Sequence, residues 1–267
     1  MWNWIREIEQ LRLQGVPFVV ATVTQITGST PRNTGAKLIV QWTGTFIGTI
    51  GGGHLEQLVL EDAKKSMEEG VSQVIRYPLG AKTGQCCGGV IEILFEPIHC
   101  GPRLYLFGAG HVAQAICKSL VDTPFTVHLI DERPEWTQAA TVPSDVIQHL
   151  TDWEDFFDHA LWNEKKTYVL IMTHRHDRDQ EIVHAALKKP AKYIGLIGSH
   201  SKWERFKQRL QPRGITSDQL SRVKSPIGIA IGGKSPQEVA ISVAAELIQL
   251  HYLSQSTGGH ETSPSST

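Results

Sequence analysis

Four features of this chain have residue types and spacings that could do chemistry: a glycine loop, two adjacent cysteines, two histidines, and a set of short donor-rich turns. The stretch LFGAGHVA (106–113) carries G-x-G-x-x-A at Gly108, Gly110 and Ala113, between residues that read as a strand and residues that read as a helix. Asp131 closes the next apolar run, 21 residues after Gly110. Glycines so spaced let a phosphate approach the amino end of a helix, and an acid so placed meets a ribose hydroxyl. The plainer alternative is that these glycines only pack a helix onto a sheet, so the pattern speaks for a Rossmann-type fold before it speaks for a bound nucleotide. A second stretch, GIAIGGKS (228–235), formally satisfies G-x-x-x-x-G-K-[ST]. There Ile229 to Ile231 read as strand, and Ser235, Pro236 and Glu238 form a helix-capping box, which explains the residues without a triphosphate.

The stretch MTHRHDRD (172–179) follows a buried-looking strand, so Thr173 and His174 are expected at its carboxyl end, the edge that lines the ligand crevice of open α/β sheets. His174 and His176 could share a face and hold a metal with Asp177 or Asp179. The alternative is that an aspartate caps the next helix and His174 is a polar crevice residue. In GAKTGQCCGGV (80–90), Cys86 and Cys87 supply two of the chain's four cysteines. No C-x-x-C spacing is present, and a bridge between neighbours would strain the backbone. Three loops in the first hundred residues offer anion donors. GSTPR holds Ser29, Thr30 and Arg32; GGGHLE sets Gly51, Gly52 and Gly53 before a helix with His54 and Glu56; and CCGG places a thiol beside flexible N–H groups that lower a cysteine's pKa. Each alone is also ordinary turn chemistry.

The elements that must position these residues fall into two patterns. Residues 2–14 read as an amphipathic helix, 17–27 as a strand, 28–35 as a loop, then a hairpin, a helix over 54–70 ending at Gly70, and two further strands around the cysteine loop. This is a smaller α+β domain over 1–99. From 103 to 253, strands alternate with helices, which argues a parallel sheet with helices on both faces, an α/β Rossmann-type domain; 254–267 lacks large apolar residues and reads as a disordered tail.

With net charge −1 and 20% charged residues, the 267-residue chain shows no basic stripe for nucleic acid. Its apolar runs of about six to eight residues are far short of a membrane span, and no signal peptide is visible, so a cytoplasmic, reducing location is expected.

Taken in order, GSTPR, GTIGGGHLE, CGG, LFGAGHVAQA, DERPE, MTHRHDRD, YIGLIGS and PIGIAIGGKSPQEVAISVAAELI resemble the XdhC/CoxI family of xanthine dehydrogenase accessory proteins over nearly the whole chain apart from the tail. The resemblance implies a homodimeric chaperone that binds molybdenum cofactor and carries it rather than uses it. It also implies that the protein supports sulfuration by a cysteine desulfurase and inserts the cofactor into apo-xanthine dehydrogenase. It puts Cys87, Gly88 and Gly89 at the family's cysteine loop, with Cys87 in possible contact with molybdenum and Cys86 a local addition. His54 stands where some relatives carry cysteine. Further cofactor-binding positions expected from the residues themselves are Arg32, Gly51, Gly52, Gly53, Glu56, Gly108, Gly110, His111, Asp131, Arg133, Thr173, His174 and Gly198, with NAD or another nucleotide as an alternative ligand. No catalytic residue is expected. The alternative is an NAD(P)-dependent oxidoreductase using the Rossmann domain with His174 as acid or base.

Overall fold

In a computed structural model the chain divides into two compact units, Met1–Gly101 and Pro102–Thr267, and the structure describes residues 4–14, 16–80, 88–98 and 101–256. Cys86 and Cys87 lie outside the described residues.

The first unit runs α1 (Trp4–Gln14), β1 (Phe18–Thr27), β2 (Lys37–Gln41), β3 (Phe46–Gly48), α2 (Gly53–Glu69), β4 (Gln73–Pro78) and β5 (Val90–Ile98). Its strands form one antiparallel sheet in the order β3-β2-β1-β5-β4. The period of two in β1 sends Phe18 and Val20 to one face and Val19, Ala21 and Val23 to the other. Leu11 of α1 covers the first face beside Ile39. Leu55, Val59, Ala63 and Met67, spaced at helical intervals along α2, cover the second beside Ile91, Ile93 and Phe95. Because both faces are covered, β1 is apolar at nearly every position of its first half. Gly70 ends α2 in the left-handed conformation at φ 71°, and its N–H donates to Ser66.

The second unit runs β6 (Arg103–Phe107), α3 (His111–Ser119), β7 (Thr126–Asp131), α4 (Pro134–Thr137), β8 (Ile147–Leu150), α5 (Trp153–His159) and β9 (Asn163–Ile171). It continues with α6 (His176–Ala186), β10 (Ala191–Leu196), α7 (His200–Leu210), α8 (Ser217–Ser221), β11 (Val223–Lys224) and α9 (Pro236–Ser256). Every strand pairing is parallel, in the order β11-β10-β9-β6-β7-β8. This is the doubly wound order, whose direction reverses between β6 and β9. Ala113 and Ile116 of α3 pack with Ala240, Val243, Ala244 and Leu247 of α9 on one face. Phe156, Ile182, Val183, Trp203 and Phe206, from α5, α6 and α7, cover the other. Among the described residues no helix is long and apolar enough to cross a membrane.

The residues around Ile229 to Ile231 are not a strand. The N–H of Gly228 donates to Glu246 Oε2 at 2.7 Å, and the Ile229 carbonyl accepts from Ser242 Oγ at 2.5 Å. Those backbone groups are spent on α9 rather than on a neighbouring strand. The capping box at its start is present: Ser235 N–H donates to Glu238 Oε2 at 2.9 Å and Glu238 N–H to Ser235 Oγ at 3.3 Å.

At the sheet edge, His128 Nδ1 and His149 Nε2 lie 3.0 Å apart, so one ring must donate and the other accept. Burial pushes His149 down to about 4 from the usual 6.5. A histidine whose folded pKa is lowered contributes stability that is complete above its unfolded pKa and is lost as pH falls through the window from 6.5 to about 4. Urea unfolding is therefore expected to show falling stability across that window, and His149→Gln is expected to flatten the slope; equal slopes for both proteins would contradict this.

Candidate functional site

In the first unit three donor-rich loops converge. The 28–32 turn leaves β1, the 50–53 turn enters α2, and Gly88 and Gly89 lead into β5. A β-carbon on Gly89 would lie 2.3 Å from the Ser29 carbonyl oxygen and 2.7 Å from that of Thr27. One on Gly51 would lie 2.5 Å from Pro31 Cγ. Glycine at these two positions is thus what lets the first loop touch both of the others.

Within this cluster the N–H donors of Ile50, Gly51 and Gly52 are already used. Glu56 Oε1 accepts from Thr49 Oγ1 at 2.6 Å, from the Gly52 N–H at 3.0 Å and from the Ile50 N–H at 3.1 Å, while the Gly51 N–H donates to Thr49 Oγ1 at 3.3 Å. Partial burial raises the Glu56 pKa, but the hydrogen bonds from Thr49, Gly52, Ile50 and Gly51 outweigh it, and the net shift is downward. The anion held by this turn is therefore the chain's own carboxylate, one helical turn along. His54 is exposed, with Nδ1 3.1 Å from Gln57 Oε1. Arg32 is exposed, and among the described residues no carboxylate pairs with it. Cys87 lies outside the described residues, but the chain re-enters at Gly88 and Gly89 against the 28–32 turn.

In the second unit the glycine loop joins β6 to α3. A β-carbon on Gly108 would come within 2.5 Å of the Met172 carbonyl oxygen, so the loop lies directly on the exit from β9. Gly110 is the residue before α3, and a β-carbon there would meet nothing within 4 Å. Gly108, Asp131, Thr173 and His174 line one small crevice of about 20 Å³ at the carboxyl edge of the sheet. Thr173 and Gly198 also line an open cavity of about 540 Å³ beside it.

Asp131, expected to meet a ribose, is held by its own chain. Arg133 Nε and Nη2 donate to its two oxygens at 2.8 and 2.7 Å, and the Ala109 N–H donates to Oδ2 at 2.8 Å. Burial raises its pKa, yet the Arg133 and Ala109 hydrogen bonds outweigh that and hold it below the usual carboxylate range. The Arg133 guanidinium also lies 5.4 Å from the Trp136 ring, which meets His111 edge-on at 5.0 Å. His174 lines the smaller crevice and His176 the larger, and among the described residues no group of three His, Cys, Asp or Glu is placed to hold a metal.

Sequence reasoning offers Asp179 as a metal ligand or helix cap and misses its partners, which fix the edge from below. Asp179, fully buried, accepts from the Thr173 N–H at 2.9 Å, from Thr173 Oγ1 at 2.7 Å and from Lys202 Nζ at 2.7 Å. Nothing in MTHRHDRD points to those partners, and Lys202, from α7, gives no signal of its own.

Two family models match the chain: one described as the XdhC Rossmann domain over residues 104–247, and one described as the XdhC and CoxI family over residues 11–78. An uncharacterized protein of Escherichia coli (strain K12), YqeB, is 31% identical over 93% of this chain, which spans 46% of that relative. A protein of Bacillus subtilis (strain 168), named as a probable subunit of xanthine dehydrogenase, is 24% identical, over 86% of this chain and 92% of that protein. The molybdenum cofactor insertion chaperone PaoD of Escherichia coli is 21% identical, over 90% and 86% respectively. A crystal structure described as a xanthine dehydrogenase from Bacillus halodurans covers 98% of both chains at 25% identity, with a TM-score of 0.50.

The loop contacts give a matched pair of substitutions. Gly89→Ala is expected to lower stability in urea unfolding by about 2 kcal/mol, the scale of an overpacked site. Gly88→Ala, whose methyl would meet nothing within 4 Å, is expected to stay within about 0.5 kcal/mol of the parent.

Proposed function

The chain belongs to the XdhC and CoxI family, and from that premise we propose that it is an accessory chaperone that binds molybdenum cofactor, supports its sulfuration by a cysteine desulfurase and inserts it into apo-xanthine dehydrogenase. The cofactor is cargo: a pterin whose dithiolene holds molybdenum and whose side chain ends in a phosphate. A carrier for it needs cations for the phosphate, a soft ligand near the metal, and shelter from water. The relative named as a molybdenum cofactor insertion chaperone supports this reading.

The observation that carries it is the convergence of the 28–32, 50–53 and 88–89 loops in one cluster. Arg32 stands there without a carboxylate partner among the described residues, so its charge is available to an anion. In this reading Cys87, next in sequence to Gly88 and Gly89, is the thiol that meets molybdenum. Glu56 holds the 50–53 turn in shape, and His54 stands exposed at the start of α2. The chaperone works as a homodimer in this reading.

The dinucleotide alternative is disfavoured by one arrangement. The acid that would bind a ribose has both oxygens engaged by Arg133 and Ala109, so NAD would have to displace an ion pair 2.7 Å long.

The test uses the full chain loaded with molybdenum cofactor and mixed with apo-xanthine dehydrogenase. Cys87→Ser and Arg32→Ala are each expected to reduce retained cofactor and the recovered enzyme activity at least about tenfold, consistent with loss of a metal contact or a charge-assisted hydrogen bond. NADH oxidation by the purified chain in the absence of cofactor, or no activation of apo-xanthine dehydrogenase by the loaded parent, would overturn the reading, and full activation by both variants would overturn the roles given to Cys87 and Arg32.

A further inference from the structure

We propose that the open cavity of about 540 Å³ at the carboxyl ends of β9 and β10 is a binding site for a phosphomonoester dianion, held by Arg205 and Arg209 of α7. The volume is that of a small-molecule site and exceeds what inorganic phosphate would fill.

Charge is the first ground. The lining includes His176, Lys202, Arg205 and Arg209 and no carboxylate. Lys202 is already spent, on Asp179 at 2.7 Å and on the Ile197 carbonyl at 3.0 Å. The two arginines are not. Arg209 reaches only the neutral Gln180 Oε1 at 3.4 Å, and among the described residues Arg205 has no hydrogen-bond or ion-pair partner. Other arginines of this unit are matched to acids: Arg213 to Glu181 at 2.7 Å, Arg178 to Glu132 at 2.7 Å and Arg133 to Asp131.

Geometry is the second ground. Arg205 and Arg209 are four apart on one helix, so two like charges lie one turn from each other, an arrangement that destabilises a helix unless an anion compensates it. Two guanidinium forks suit the several oxygens of a phosphate dianion better than a single carboxylate. The Ser201 hydroxyl adds a donor on the same side, and Ile197 and Phe206 give an apolar wall for whatever group carries the phosphate. That group is a nucleoside or a pterin other than the cofactor whose single phosphate the chaperone reading gives to Arg32, so the site does not rest on that reading.

The experiment is calorimetric titration of the full chain with inorganic phosphate, adenosine monophosphate and a pterin monophosphate. The organic monophosphates are expected to bind more tightly than inorganic phosphate, and more weakly as salt is raised. R205Q/R209Q is expected to weaken them at least tenfold with an unchanged circular dichroism spectrum, whereas R213Q, whose guanidinium is paired with Glu181, is expected to leave them unchanged. A preference for one monophosphate assigns the source. Absence of binding by all three probes at millimolar concentration, or equal affinity in R205Q/R209Q and the parent, would overturn the site. If the arginine pair governs monophosphate affinity while the parent neither retains molybdenum cofactor nor activates apo-xanthine dehydrogenase, the chaperone reading falls and the site stands. If the parent and R205Q/R209Q carry molybdenum cofactor equally and neither binds a monophosphate, the site falls and the chaperone reading stands.

Discussion

Where Gly89 meets the carbonyl oxygens of Ser29 and Thr27 there is no room for a β-carbon, and the first unit's candidate site depends on that contact. Carbonyl oxygens cannot give way as the end of a flexible side chain can, so the contact holds the return of the chain into β5 against the exit from β1. The antiparallel pairing of those two strands ends at the same place, Thr27 opposite Val90, so sheet register and loop contact are one constraint. The second contact, Gly51 on Pro31, then fixes the start of α2 against the same turn. Remove either and the three loops lose the reason to share a cluster.

The second unit uses the same device at its switch point. Gly108 lies against the Met172 carbonyl, so the exits of β6 and β9 are held together where the strand order reverses. A buried carboxylate then ties each loop to the element behind it. Asp131 ties the glycine loop to the end of β7 through the Ala109 N–H and Arg133. Asp179 ties Thr173 to α7 through Lys202. Glu246 ties Gly228 to α9 and also accepts from Tyr193 on β10. These loops are therefore fixed from inside, by charge-assisted hydrogen bonds in places where water is excluded.

The fold class is legible because its signals are local. A glycine loop between an apolar run and a helix, and the alternation of such runs with helical patterns, sit within a few residues of each other in the chain. What is not legible requires partners far apart in sequence. Asp179 and Lys202 are 23 residues apart, and nothing in either stretch announces the other. The edge strand β8 escapes sequence reading because its four residues are half polar and are paired on one side only, with the parallel sheet's continuous apolar run absent. The strand expected at 229–231 fails for the opposite reason: two good strand formers, Ile229 and Ile231, are overruled by long-range hydrogen bonds of this stretch to Ser242 and Glu246. The donor loops are legible as donor loops, but not which of their donors Glu56 takes.

That last distinction bears on which ligands the molecule can accept. At the 50–53 turn and at the glycine loop an internal carboxylate already occupies donors that a ligand anion would use. For a ribose to take Asp131, neutral hydroxyl donors would have to replace a charged guanidinium, which gives up the ion pair with Arg133 along with its two hydrogen bonds. The exchange is unfavourable unless the ligand brings compensating contacts elsewhere, so Asp131 belongs to Arg133 before it belongs to any dinucleotide. The cations without a carboxylate partner among the described residues of these regions are Arg32 in the first unit and Arg205 and Arg209 in the second. An anionic ligand is thereby directed toward those positions, and the glycine loop is left chiefly as the structural joint between β6, α3 and the end of β9.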